Sequence, residues 1–222
     1  MARVIDRLVL GMWQANCFIV GDRDDGRAVV VDPGQDGADA VVDRLGDLDL
    51  TCEAVLLTHG HLDHLWSAPQ LAERLDVPVL LHPDDNWLWE NPAAGFGAPL
   101  EGLQAQFGLR WEPPTERLTE IAGGQRLPFA GLGLRVHHTP GHTPGSCVFV
   151  GDDAGALLLS GDLLFAGSVG RTDLPRGSMA QQNDSLRRVV LPLDDDVVVH
   201  PGHGPDTTVG AERATNPFLR AL

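Results

Sequence analysis

The sequence contains no lysine and no tyrosine. All 16 of its strongly basic side chains are therefore arginines, and with 31 carboxylates against them the formal net charge is −15. Without lysine, Schiff-base catalysis and a Walker-type phosphate lysine are excluded. The negative charge argues against a nucleic-acid partner, because such a protein repels a phosphate backbone.

Cysteine and long apolar runs are also scarce. Cys17, Cys52 and Cys147 are odd in number, widely spaced and embedded in apolar runs, so we expect small buried side chains rather than disulfides or nucleophiles. No apolar run reaches the length of about 18 residues that a membrane span needs. Charges interrupt the N-terminal segment, which also has no small-residue cleavage site, so we predict a cytoplasmic protein that begins with a strand.

The chain has 222 residues, of which 43% are hydrophobic, enough to bury one sizeable core as a single domain over residues 1–222. Strand-like and helix-like runs alternate in two similar halves, about 1–82 and 117–210. The clearest strands are Val4–Leu10, Cys17–Gly21, Ala28–Asp32 and Val79–His82, and the clearest helices are Ala38–Leu45, Leu65–Leu75 and Met179–Val190. This pattern favours two sheets covered on the outside by helices.

Four short segments rich in metal ligands each follow an apolar, strand-like run. Their ligands are His59, His61, Asp63 and His64 in the first segment, His142 in the second, Asp162 in the third and His203 in the fourth. Five histidines and two aspartates are enough for two metal ions. Loops at the C-terminal ends of strands are where α/β folds usually build their sites.

The spacing of the first segment indicates how one short loop could supply ligands to two ions. His59 and His61 are two residues apart on an extended or turning segment, so both rings can reach one ion from the same side. Asp63 and His64 follow where the chain enters a helix, and the change of direction can turn them toward a second ion. Imidazole and carboxylate ligands without a nearby cysteine suit zinc, iron(II) or manganese.

This arrangement resembles the metallo-β-lactamase superfamily, and within it the glyoxalase II (hydroxyacylglutathione hydrolase) branch. The resemblance covers nearly the whole chain in the right order. Its motifs are Val31–Gly34, Thr58–His64, Thr139–Gly145, Gly161–Phe165, Gly167–Asp173, Pro201–Gly204 and Asn216–Leu219. It implies an αββα sandwich, here without the additional C-terminal helical domain of classical glyoxalase II.

The resemblance also implies roles for individual residues. One ion would be held by His59, His61 and His142, the other by Asp63, His64 and His203, with Asp162 as a bridge. Asp63 and Asp162 would be the catalytic carboxylates, and Asp32 would orient a ligand imidazole through its other ring nitrogen. The implied cofactor is a pair of divalent ions, with zinc ahead of iron or manganese.

Two adjacent ions lower the pKa of a bridging water and supply a hydroxide that can attack a thioester carbonyl. A small-molecule thioester substrate fits, because a thiolate leaves without a strong general acid. Arg171 stands where the family has a cation for the carboxylate of the thiol, although a salt bridge to Asp173 is an equal interpretation. The thiol carrier stays open among glutathione, another small thiol and coenzyme A.

Two other activities share parts of this pattern. Persulfide dioxygenases have the same first segment but bind one iron, and their last motif usually lacks the Gly-His-Gly of residues 202–204. A β-lactamase commonly anchors the carboxylate of the drug with a lysine, which this chain lacks. A dinuclear hydrolase therefore fits better.

The segment Pro83–Pro114 concentrates tryptophan and phenylalanine. It predicts either a wall for an apolar part of the substrate or a helical cap over the core. The remaining histidines lie inside or at the end of strand runs, so we interpret them as structural or as partners of ligands. They are His82, His137, His138 and His200.

Overall fold

The computed structural model describes residues 2–97, 99–108, 111–151 and 157–222, and the strands of these residues form two sheets. The first sheet has the order β1 (Arg3–Leu10), β2 (Ala15–Asp22), β3 (Arg27–Val31), β4 (Thr51–Leu56), β5 (Val79–Leu81) and β6 (Leu118–Glu120). Strands β1 to β3 are antiparallel, whereas β3 to β6 are parallel.

The second sheet is formed by the other half of the chain. Its strands are β7 (Leu134–His138), β8 (Cys147–Gly151), β9 (Leu157–Gly161), β10 (Val198–Pro201) and β11 (Thr207–Thr208), in the spatial order β11-β10-β9-β8-β7. Strands β9 and β10 are parallel, and the other neighbours are antiparallel.

The helices are α1 (Ala38–Asp47), α2 (Leu62–Leu65), α3 (Ala68–Leu75), α4 (Asn86–Glu90), α5 (Leu100–Phe107), α6 (Met179–Ser185), α7 (Val209–Thr215) and α8 (Pro217–Arg220). Helix α6 continues as a π-helical turn over Leu186–Val190. The helix predicted over Leu65–Leu75 is present as α3 but begins three residues later, because α2 ends at Leu65 and the chain turns before Ala68. Pro69 lies in the first turn of α3, where its missing N–H costs nothing, whereas inside a longer helix it would break a hydrogen bond.

Three apolar cores separate four layers. The core between the sheets joins side chains such as Val29 and Leu56 to Phe149 and Leu159. The outer face of the first sheet packs on α1 and α3. The outer face of the second sheet packs on the π-helical turn that continues α6, on α7 and on α8. Strand residues alternate between the two faces of each sheet, so each sheet can fill two cores. The predicted αββα sandwich is confirmed.

The aromatic segment after β5 is mostly a helical cap. Trp89 and Trp111 are buried in the core beneath α3, and the indole N–H of Trp111 donates to the carbonyl oxygen of Trp89 at 2.7 Å. Phe96 differs, because 39% of its surface is exposed. The segment therefore covers the core and also presents one aromatic ring to the outside.

The three cysteines are buried and free, as predicted. Burial raises the pKa of the Cys52 thiol to about 11 and that of the Cys17 thiol well above its usual range, which keeps both thiols protonated and unreactive. Among the described residues, no helix combines the length and the apolar character needed to cross a bilayer.

Candidate metal centre

The ligand segments follow the C-terminal ends of β4, β7, β9 and β10 and converge where the two sheets meet. His59, His61 and His142 form a group that we name the imidazole cluster. Their candidate ligand atoms lie within 4.8 Å of one another, and Nδ1 of His61 is 2.8 Å from Nε2 of His142. All three side chains are buried.

Asp63, His64 and His203 form a second group, the mixed cluster, whose candidate ligand atoms also lie within 4.8 Å of one another. Nε2 of His203 is 3.2 Å from Oδ2 of Asp63 and 3.3 Å from Nε2 of His64. The mixed cluster is the more open one, because the His203 side chain is 28% exposed and the Asp63 side chain 17%. Helix α2 turns Asp63 and His64 toward this cluster.

Asp162 lies between the two clusters. Its Oδ2 is 3.4 Å from Nε2 of His142, and its Oδ1 is 3.4 Å from Nε2 of His64. The approach of the last ligand loop requires Gly202, since a Cβ there would stand 2.3 Å from Oδ1 of Asp162. The position of Asp162 between the two clusters is the one that a bridging ligand requires. Its bridging role stays a prediction.

Several buried polar atoms of these residues have no hydrogen-bond partner among the described residues, as expected of metal ligands. Nε2 of His59, Nε2 of His61 and Oδ1 of Asp162 are buried without a hydrogen-bond partner among the described residues. Burying such atoms costs free energy unless a partner satisfies them. A cation would satisfy all three, and five imidazoles with two carboxylates suit zinc, iron or manganese.

The charges of the site point to a cation as well. Burial and the neighbouring imidazoles hold the pKa of His59 and His61 well below the usual range, so both rings are neutral and keep a free lone pair. Burial also lowers the pKa of His64, but the nearby carboxylates of Asp63, Asp162 and Asp32 raise it by more, so that the pKa of His64 is about 10. The carboxylates thus hold a proton where a metal ion could supply the positive charge instead.

Asp32 fixes the orientation of His64. Its Oδ2 lies 3.0 Å from Nδ1 of His64 and accepts the Thr58 hydroxyl at 2.6 Å, while its Oδ1 accepts the Thr58 backbone N–H at 2.7 Å. Asp32 adopts a left-handed backbone with φ of 52°, which aspartate tolerates better than most residues. With Nδ1 held by Asp32, Nε2 of His64 faces the mixed cluster.

The imidazole cluster is oriented in the same way by other partners. Nδ1 of His142 donates to the backbone carbonyl of Arg171 at 2.6 Å, which leaves Nε2 for the cluster. Nδ1 of His59 is 3.0 Å from the Thr58 hydroxyl. Thr58 therefore links Asp32, and through it the mixed cluster, to the imidazole cluster.

Asp85 is a functional residue that the sequence analysis missed. Its Oδ2 accepts the Gly60 N–H at 2.9 Å and the Thr143 hydroxyl at 2.6 Å, and its Oδ1 accepts the Gly145 N–H at 2.7 Å. The side chain is fully buried, and burial raises the pKa of its carboxyl group. Asp85 thus joins the loop of His59 and His61 to the loop of His142. The one available signal was its position after β5, the neighbour of β4.

Arg171 forms the salt bridge that was one of its two interpretations. Its Nε and Nη2 donate to the two carboxylate oxygens of Asp173 at 2.6 and 2.7 Å. Both side chains are mostly exposed. Binding of a substrate carboxylate by Arg171 stays a prediction.

A cleft of about 420 Å³ opens above the two clusters. Its floor includes His61, Asp63, His142, Asp162 and His203. Its sides are formed by Trp13, Phe96, Phe165, Val169, Arg171 and Leu174. The size is in the range of small-molecule sites.

Comparison with known families and proteins agrees with this geometry. The sequence profile of the Metallo-beta-lactamase superfamily matches residues 10–203. An uncharacterized protein of Mycobacterium leprae is 42% identical over 96% of both chains. Hydroxyacylglutathione hydrolase GloC of Haemophilus influenzae is 36% identical over 98% of both chains.

The solved structures that share the fold include the following three. The BLEG-1 B3 metallo-beta-lactamase has a TM-score of 0.84 and 35% identity, over 97% of this chain and 99% of its own. TTHA1623 in a di-iron-bound form has a TM-score of 0.82 and 37% identity, over 96% and 100%. ETHE1 from Myxococcus xanthus has a TM-score of 0.76 and 27% identity, over 96% and 83%.

Proposed function

Because the chain belongs to the metallo-β-lactamase superfamily and is a metal-dependent hydrolase of it, we propose that it hydrolyses thioesters, in particular S-(hydroxyacyl) conjugates of a small thiol. The observation that carries the proposal is the assembly of two ligand clusters with Asp162 between them. The GloC relative supports the choice of substrate.

The chain would hold two divalent ions, zinc in the first place and iron or manganese as alternatives. The imidazole cluster would take one ion, the mixed cluster the other, and Asp162 would contact both. When bound, two adjacent ions supply Lewis acidity, which activates a water at neutral pH and polarises a carbonyl oxygen. The di-iron form of TTHA1623 supports a two-metal site in a relative of this chain.

The side chains around the site orient the ligand rings and place the carboxylates in the cleft. Asp32 and the Arg171 carbonyl hold two ligand rings in one orientation, so little reorganisation is needed during the reaction. Asp63 and Asp162 are the proposed catalytic carboxylates, since both stand on the floor of the cleft. A thiolate leaving group, with a conjugate-acid pKa of about 8.5, departs without the lysine or tyrosine that the chain lacks.

Steady-state hydrolysis of S-lactoylglutathione by the zinc-loaded protein tests the proposal. We expect turnover that a chelator abolishes and that zinc restores, without oxygen consumption. The alternative, a one-iron persulfide dioxygenase, would keep its iron on His59, His142 and Asp162. Oxygen uptake with glutathione persulfide, together with one iron per chain and no thioester turnover, would establish that alternative.

A β-lactam assayed in parallel addresses the likeness to BLEG-1. The described side chains of the cleft include no lysine, and the guanidinium of Arg171 is already paired with Asp173. We expect β-lactam turnover well below thioester turnover. The opposite ranking would favour the β-lactamase activity.

A further inference from the structure

An apolar rim surrounds the metal-ligand floor of the cleft. It consists of Trp13, Phe96, Phe165, Val169 and Leu174, which we name the apolar collar. Trp13 comes from the turn between β1 and β2, and Phe96 comes from the helical cap. Their rings stack at 6.2 Å with an interplanar angle of 21°. The Phe165 ring stands edge-on to the His203 ring at 6.0 Å.

The collar lies directly against the ligands. A Cβ on Gly95, next to Phe96, would be 3.0 Å from the His61 ring. A β-bridge joins Ala15, two residues after Trp13, to His203. The segments that carry Phe96 and Trp13 therefore run beside the ligand rings, and an acyl group on a carbonyl carbon at the metal-ligand floor can reach the collar.

Trp13 supports the ring of Phe96 from one side. Trp13, which stacks on it, packs in turn against Phe107 at 5.5 Å and Trp66 at 6.1 Å. The outward side of Phe96 faces solvent, with 39% of the residue exposed. An exposed aromatic ring that lines a cleft and is fixed from behind is typical of a ligand-binding surface.

The charge of the cleft excludes one kind of acyl group. Apart from the metal ligands, the charged side chain among its described lining residues is Arg171, and Asp173 already neutralises it with two hydrogen bonds. A carboxylate on the acyl group would lose water of hydration at an apolar surface without gaining a partner. A neutral apolar group loses nothing there and gains burial.

We propose that the apolar collar is an acyl-binding subsite that favours, among hydroxyacyl and simple acyl thioesters, those whose acyl group carries an aromatic or branched apolar substituent. The inference rests on the proposed thioesterase function and adds a substrate class to it. The acyl group contacts Phe96 and Trp13, while the thiol carrier leaves the cleft toward solvent.

A series of thioesters of one neutral thiol, N-acetylcysteamine, tests the subsite. The acyl groups are acetyl, phenylacetyl and succinyl, and the protein is the zinc-loaded full chain. Burying most of a phenyl ring on the collar is expected to raise kcat/KM about tenfold above the acetyl ester. The succinyl ester is expected to fall below the acetyl ester.

Phe96→Ala identifies the surface responsible, and Phe218→Ala is its matched control. Phe218 is a phenylalanine of almost equal exposure, 38% against 39%, but it lies on α8 and outside the described lining of the cleft. Phe96→Ala should lower kcat/KM for the phenylacetyl ester several times more than for the acetyl ester, and so remove most of the phenylacetyl advantage. Phe218→Ala should change neither value. Equal rates for acetyl and phenylacetyl esters, or an advantage that survives Phe96→Ala, would overturn the proposal.

Two further measurements distinguish a failure of the subsite proposal from a failure of the proposed thioesterase function. Ketone analogues with CH₂ in place of sulfur cannot be hydrolysed, and the phenylacetyl analogue should bind about tenfold more tightly than the acetyl analogue by calorimetry. If no thioester is turned over, the proposed function fails, while the analogues still decide the subsite. With acetyl fixed, an equal gain from an apolar thiol would contradict the assignment to the acyl group.

Discussion

The two ligand clusters differ in charge and in access to solvent. The imidazole cluster is buried and consists of three rings, of which His59 and His61 stay neutral because burial lowers their pKa. The mixed cluster contains a carboxylate and has its edge, His203, 28% exposed. Its His64 holds a proton in the absence of a cation, since three carboxylates raise its pKa.

The difference suggests a division of labour. An ion entering the imidazole cluster meets the free lone pairs of His59 and His61, whereas an ion entering the mixed cluster must displace a proton. We therefore expect the imidazole cluster to fill first and the mixed cluster to control activity. The apolar collar and residues of both clusters line the same cleft, so substrate would reach each cluster through it.

The largest effect is expected at Asp162, the carboxylate that lies between the two clusters. Asp162→Asn removes a negative charge that lies 3.4 Å from a ring of each cluster. Metal content should fall at both clusters, and activity should fall by more than the roughly 100-fold seen when only a partner of a ligand is removed. Elemental analysis and kcat/KM check this. Retention of two ions would contradict a bridging role.

Removing one ligand from each cluster separates the two. His203→Ala should leave about one ion per chain, bound in the imidazole cluster. It should lower hydrolysis about 100-fold, at least as much as the loss of a hydrogen-bond partner of a ligand does. His142→Ala should weaken the first ion instead. Metal titration by calorimetry distinguishes the variants, and a His203→Ala protein with full hydrolysis would show that the mixed cluster is dispensable.

The outer partners offer a smaller and more selective contrast. Asp85→Asn keeps the shape of the side chain, but its amide N–H₂ replaces one acceptor oxygen and faces either the Gly145 N–H or the Gly60 N–H, both of which are donors. Ion affinity should fall about 10- to 100-fold at the imidazole cluster only. Asp32→Asn is the matched variant, and its effect should fall mainly on the mixed cluster through His64. Equal losses at both clusters in both variants would break the distinction.

The smallest effect is expected at Arg171. Because its guanidinium is exposed and already paired with Asp173, a substrate carboxylate would gain at most the free energy of a surface ion pair. Arg171→Ala should therefore raise KM for S-lactoylglutathione no more than about fivefold and leave kcat unchanged. A larger rise, absent with a neutral thiol, would assign Arg171 a stronger role in binding the thiol.

Much of this architecture could be predicted from the sequence, and the limits have physical reasons. Apolar runs followed by ligand residues predicted that strands end just before Thr58, Asp162 and His203, since a local pattern determines both the strand and its loop. The role of Asp85 could not be predicted, because it depends on loops that follow β4 and β7 meeting in space. The place of Trp13 in the cleft depends on the same long-range packing.

The Pro83–Pro114 segment shows a related limit. Its aromatic content predicted a cap and a substrate wall equally, and the structure contains both, since Trp89 is buried while Phe96 lines the cleft. Composition alone does not say which ring faces the core. The break between α2 and α3, by contrast, was available from Pro69.

Stepwise reconstitution of the metal-free protein with zinc tests the central claim most directly. Thioester hydrolysis is measured at each addition from zero to three equivalents, alongside bound zinc. The account predicts that the first equivalent binds with little activity and that hydrolysis rises with the second and then stays constant. Full activity at one equivalent, or failure to bind a second ion, would contradict the account.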